Sequence, residues 1–206
     1  MNKLYRKNEL WFALTWIIIY IVGTSITDNL HKSATLAFHL GLTALALIWT
    51  FKNGLMRKYG ICRPSIPAKR TFFYIPLLIA VSCNLWFGVK MNMSPINTVF
   101  YVGSMLCVGF LEEFIFRGLL FRAMEKDSIK TAVIVTSLTF GIGHIINLFN
   151  GSGMDLIANI GQIVSAVAFG FLFVVIFIKT GSLLPCIAAH SAINALSAFA
   201  VTPSAL

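Results

Sequence analysis

Charge is what this sequence has least of. Asp, Glu, Lys and Arg make up 11% of its 206 residues, against roughly 25% in an ordinary soluble domain. Only seven residues are acidic. Mean hydropathy reaches +0.85. These scarcities exclude a water-soluble enzyme domain and a disordered regulator. Four cysteines without a close pair exclude a disulfide scaffold and a zinc-finger framework. Familiar hydrolase signatures are missing as well. There is no His-Glu-x-x-His zinc helix and no pair of aspartates inside an apolar run. There is no Gly-x-Ser-x-Gly elbow, since Gly151-Ser152-Gly153 falls in a connecting loop. The net charge of +9 brings no basic stripe interleaved with exposed aromatics, so nucleic acid is not an expected partner.

What is present is hydrophobic sequence in long runs. Seven apolar stretches cover 10–27, 34–51, 71–89, 98–121, 131–149, 156–178 and 182–200. Each is long enough to cross the hydrocarbon as a helix, which satisfies its own backbone in lipid. The expected fold is all-α, a polytopic transmembrane helix bundle of about seven spans. It fills a single domain, 1–206, with no room for a separate soluble one.

The basic residues set the direction. With the N-terminus cytoplasmic, the inner segments carry Lys3, Arg6 and Lys7, then Lys52, Arg57, Lys58, Arg63, Lys69 and Arg70, then Arg122, Lys126 and Lys130, and finally Lys179. The outer segments carry only Lys32 and Lys90. The positive-inside rule therefore places the N-terminus in the cytoplasm and the C-terminus outside. The first span reads as an uncleaved signal anchor, its apolar run being too long for a signal peptide. The 52–70 connection, with Pro64 and Pro67, is expected to be an orienting basic loop that attracts anionic lipid head groups.

Five of the seven acids fall at span ends or in loops. Glu112 and Glu113 lie side by side within the fourth span. A charge at the bilayer centre costs at least about 2.5–3.5 kcal/mol, so two adjacent carboxylates need partners, neutralisation or water. Glu113 and Arg117 are four apart with the acid first, the favourable order for a helical ion pair. Glu112 projects about 100° away, free to face a cavity. His144 lies in the fifth span with Asn147 near it, and Gly141 and Gly143 are expected to let another helix approach. His190 and Asn194 share one face of the seventh span. From the cytoplasmic ends, the glutamates lie roughly 12–15 Å deep, His144 roughly 20 Å, His190 roughly 12 Å and Asn194 roughly 18 Å. Three helices can thus bring these six side chains to one buried pocket. His39 has no polar companion at helical spacing and reads as a satisfied interhelical histidine. His31 reads as a loop residue, and Cys107 and Cys186 as small apolar packing.

A carboxylate in a partly dry cavity makes a competent general base. Glu112 can take a proton from water and later return it to a leaving amine. His144 can share that proton, and His190 with Asn194 can donate to a developing oxyanion. The set suits hydrolysis of an amide within or beside the membrane.

At these residues the sequence resembles the CPBP family of intramembrane proteases, which comprises CAAX proteases and bacteriocin-processing enzymes and is also called the Abi family. Its Glu-Glu-x-x-x-Arg motif stands as Glu112 to Arg117, followed by Gly118. Phe-x-x-x-His stands as Phe140 to His144, and His-x-x-x-Asn as His190 to Asn194. The similarity runs over about Leu106 to Ala200, inside a core at 98–200; residues 1–97 carry no signature. It implies Glu112 as the water-activating base with His144 beside it. It also implies a site shaped by Glu113 and Arg117, and an oxyanion hole of His190 and Asn194. A membrane-associated peptide or protein would be the substrate and the lipid bilayer the setting. Some members cut after a prenylated cysteine; others are linked to bacteriocin immunity or peptide maturation. Seven spans, where CAAX-cleaving members generally have eight, argue against a prenylated substrate. No cofactor is expected. Zinc is the alternative, held by Glu112, His144 and His190, and is not favoured because Asn is a poor zinc ligand. Size, basic loops and the lack of a targeting sequence point to a bacterial cytoplasmic membrane. The competing reading is a non-catalytic bacteriocin-immunity or peptide-binding membrane protein; a proton-coupled carrier ranks below it for want of internal repeats.

Overall fold

The computed structural model describes residues 1–67, 70, 75–149 and 155–201. Among these the chain is helical, with no strand and a single isolated bridge between Val89 and Ala200. A short α1 (Asn2–Lys7) leads into α2 (Glu9–Asp28) and α3 (Lys32–Lys52). Then follow α4 (Ile75–Leu85), α5 (Pro95–Met124), α6 (Ile129–Leu148), α7 (Leu156–Thr180) and α8 (Leu184–Phe199). Polar residues start the helices by accepting from free backbone N–H groups. Asn8 accepts from Trp11, Ser128 from Thr131 and Asp155 from Ala158. His31 does the same for α3, accepting from Ser33, so the expected loop histidine is a helix cap.

The all-α membrane bundle expected from the sequence is present. Seven apolar helices stand where seven apolar stretches were read, but five of them have the length and composition of a full crossing. The α4 and α8 helices are shorter. At 1.5 Å per residue, α8 spans about 24 Å, less than the roughly 30 Å hydrocarbon core. Both end in a 3₁₀ turn, at Cys83–Leu85 and Ser197–Phe199. The first residues of the third stretch, 71–74, lie outside the described residues.

Contacts sort the connections into two ends. At one end Lys58 and Lys126 both reach Glu9, at 2.6 and 2.9 Å. Trp49 donates to Asn2, and the backbone of Leu183 donates to Gly60. This end holds α1, the 52–67 loop, the α5–α6 turn and the α7–α8 turn, the segments rich in Lys and Arg. At the other end Lys90 donates to Phe199, Asn92 to Ala200, and Tyr101 meets Ser197. The 52–67 loop is more than a charged strap: Tyr59 is 1% exposed and packs on Trp49 and Phe114. Burying that ring closes the basic end with aromatic packing.

The central helix is α5. Its segment Phe114–Phe121 winds as a π-helix, and all eight residues are buried. A helix covered all round must sit inside the bundle. Gly109 admits α8: a Cβ there would collide with Ser191, the neighbour of His190. Gly141 likewise admits α7 against Val167, as its small size suggests. Gly143 does not; a Cβ there meets nothing within 4 Å, because the residue borders a cavity.

Candidate active site

The ion pair read from spacing is made. Arg117 Nη1 donates to Glu113 Oε1 at 3.1 Å, and both side chains are 0% exposed. Arg117 also donates to the Gly170 carbonyl at 3.3 Å. Its guanidinium lies 4.2 Å from the Phe140 ring centre and 5.7 Å from that of Phe173. A flat cation between aromatic faces keeps favourable electrostatics after losing water. Phe140, the first residue of the Phe-x-x-x-His motif, thus seats the arginine.

His190 completes the cluster. Its Nδ1–H donates to Glu113 Oε1 at 2.8 Å, and Nε2 lies 3.4 Å from Glu112 Oε2. Phe173 stacks on the ring and Phe140 meets it edge-on. One carboxylate oxygen therefore holds both Arg117 and His190, and fixes which imidazole nitrogen faces Glu112.

Glu112 turns away from that pair, as the 100° step requires. It lines a cavity of about 920 Å³, and Oε1 accepts from the Tyr20 hydroxyl at 2.7 Å. His144, Asn147 and Asn194 line the same cavity. His144 bonds through Nδ1–H to the Phe140 carbonyl at 3.1 Å, which leaves Nε2 as the nitrogen with a lone pair. Asn159 donates to the His144 carbonyl at 2.9 Å, tying α7 to α6 at this point. The side chain of Asn194 makes no hydrogen bond among the described residues, while its carbonyl accepts from Ser197. Glu113, Arg117 and His190 thus form one hydrogen-bonded cluster with Glu112 3.4 Å from the imidazole, and His144 and Asn194 face the space beside it.

Tyr20 belongs to the N-terminal part that carried no signature. The signal was a stripe at intervals of four, Phe12, Trp16, Tyr20, Thr24 and Asp28, which changes from aromatic to polar along one face of α2. Behind Tyr20 lies His39, 0% exposed, with Nδ1 at 2.6 Å from Ser104 and Nε2 at 2.9 Å from Thr24. It is the satisfied interhelical histidine expected. Cys107 and Cys186 are buried, and Cys186 donates to the Phe173 carbonyl, in keeping with packing roles.

A zinc ion would need three donors turned to one point. Among the described residues no three His, Cys, Asp or Glu side chains are grouped as a metal requires. His190 has Nδ1 on Glu113 and Nε2 toward Glu112. Glu112, His144 and His190 do not form a ligand set here, and no step below passes through a metal.

Comparison with known families gives a match. The model described as "Type II CAAX prenyl endopeptidase Rce1-like" covers residues 94–196. That is half of the chain, and it contains all six site residues. Comparison with curated proteins and with solved structures finds no match.

Proposed function

This chain belongs to the Rce1-like family of type II CAAX prenyl endopeptidases, and from that premise we propose that it is an intramembrane endopeptidase working by a glutamate-activated water. The chain is a multi-pass membrane protein, and its family is one of peptidases acting in membranes. The observation that carries the finer reading is the division of labour between adjacent glutamates. Glu113 is buried and held by Arg117 and His190, whereas Glu112 faces a cavity.

Glu112 takes a proton from a water molecule, with His144 Nε2 placed to share it. The water oxygen attacks the scissile carbonyl carbon, and the carbonyl π electrons move to oxygen. Asn194 Nδ2–H donates to this oxyanion. His190, in its imidazolium form, donates from both nitrogens, Nδ1 to Glu113 and Nε2 toward Glu112 or the oxyanion. In that form two carboxylates face one guanidinium and one imidazolium, and the buried cluster is neutral. On collapse the carbon–nitrogen bond breaks and Glu112 returns its proton to the leaving amine. The Tyr20 hydroxyl holds Glu112 in the rotamer that serves both transfers. We place the N-terminus in the cytoplasm on the distribution of Lys and Arg, and the chain in a bacterial cytoplasmic membrane on its small size and basic loops.

The test is Glu112→Gln in cells, at matched protein level. Removing the base is expected to lower processing by about 10²–10⁴-fold, read as loss of peptide products by mass spectrometry.

A further inference from the structure

The shape of the cavity says from which side the site is reached. Seven helices line it, α2 to α8, and their lining residues lie toward the ends remote from the basic loops. The lining residues nearest the basic end are Tyr20, His39, Phe116, Phe140, Phe169 and Ile193. One turn further toward that end these six helices are sealed. Trp16, Leu42, Leu120, Thr136, Phe173 and Ala189 are all buried. Below them lie the two aromatic and aliphatic cores that include Tyr59, Phe121 and Phe177. In the opposite direction the lining runs out to Asp28, Lys32, Tyr101 and Ser197, with Asp28 and Lys32 exposed. Among the described residues, Glu112 and His190 therefore sit near the floor of a well that is closed toward the Lys- and Arg-rich end and open at the other.

Positive residues collect on the cytoplasmic side, so the well opens outward. We propose that the substrate is a polypeptide segment presented at the extracytoplasmic face of the membrane, such as an exported peptide or the outer end of a membrane-inserted one. A prenylated C-terminus in the cytoplasm approaches the sealed end and is excluded. The mouth agrees with such a ligand. It offers a carboxylate, an ammonium and several hydroxyls, which suit a peptide backbone better than an isoprenoid chain. This inference rests on the peptidase reading for its substrate class, but the direction of access does not depend on catalysis.

Two native cysteines make the test direct. Cys83 borders the open end of the cavity, and Cys62 lies in the loop at the sealed end beside Gly181; both are partly exposed. Right-side-out spheroplasts expressing the full chain are treated with a membrane-impermeant maleimide, and labelled peptides are read by mass. Ser25→Cys adds a second position on the cavity wall. The expected result is a mass shift on Cys83 and on residue 25, with Cys62 shifted only after permeabilisation. Labelling of Cys62 in sealed spheroplasts, or protection of both mouth positions until permeabilisation, overturns the direction of access. The substrate class has its own readout. Products lost between wild-type and Glu112→Gln cells are expected to come from exported or outer segments. Loss confined to cytoplasmic C-terminal fragments overturns that class, whereas no loss at all overturns the peptidase reading and leaves the labelling result standing.

Discussion

Glu9 and Glu113 each hold two nitrogen-bearing side chains, and the comparison is instructive because the surroundings differ so much. Glu9 bridges Lys58 and Lys126 at the basic end, where the three side chains are 22%, 33% and 55% exposed. Glu113 bridges Arg117 and His190 where all three are 7% exposed or less. The first cluster fastens α2 to two loops in contact with water, where charge pairs are screened and weak. The second has no water to fall back on, so the loss of one partner leaves a bare charge in a dry place. Flexible lysines serve the first. The second uses a planar guanidinium and an imidazole clamped by Phe140 and Phe173, which fixes directions as well as charge.

The contrast can be broken from the buried side. Arg117→Ala strands Glu113 and is expected to cost about 3–5 kcal/mol, read as a lowered unfolding midpoint of purified protein in detergent and a reduced level in membranes. A change below 1 kcal/mol would mean that the cluster is not the closed unit described. Asn194→Ala removes a donor facing the cavity while touching neither charge cluster. Hydrolysis is expected to fall by about 10²–10³-fold, with the unfolding midpoint unchanged. Tyr20→Phe deletes one hydrogen bond to Glu112. About a tenfold slower hydrolysis is expected, equivalent to about 1.4 kcal/mol, again at normal protein level.

The smallest effect belongs to the exposed cluster. Lys58→Ala is expected to change stability by at most about 1 kcal/mol and to leave hydrolysis unaffected. Burial pulls the Lys58 ammonium down, but the bonds to Glu9 and Tyr5 outweigh it and hold the group above its ordinary 10.5. A raised lysine value means that its contribution is complete below that ordinary value and fades only as pH rises through the higher folded one. Across neutral pH, unfolding of the wild type and of Lys58→Ala should therefore differ by a constant amount.

How much of this was legible in the sequence depends on the range of each interaction. The Glu113–Arg117 pair lies within one helix, and spacing alone announces it. The meeting of Glu112, His144, His190 and Asn194 across three helices was readable because solitary polar groups in lipid are costly enough to imply company. Tyr20 was harder. A tyrosine in an apolar span is ordinary, and nothing in its own helix says that α2 lies beside α5. The π-helical winding of Phe114–Phe121 and the approach at Gly109 depend on what packs around α5, so local propensity is silent about them. The 52–67 loop misled through its charge. Its only charged residues are Lys and Arg, yet Tyr59 between them is a core residue. The opening of the cavity away from the basic loops emerges only when the seven helices stand together.

The central claim is that Glu112, and not its buried neighbour, activates water for peptide hydrolysis. It is tested most directly by comparing the peptide products of cells carrying the wild-type chain with those carrying Glu112→Gln, at equal protein level and with the same unfolding midpoint. The account predicts that a defined set of products disappears while the protein stays folded. Undiminished processing by a well-folded Glu112→Gln protein would contradict it, and would leave a membrane bundle whose polar cavity binds without cutting.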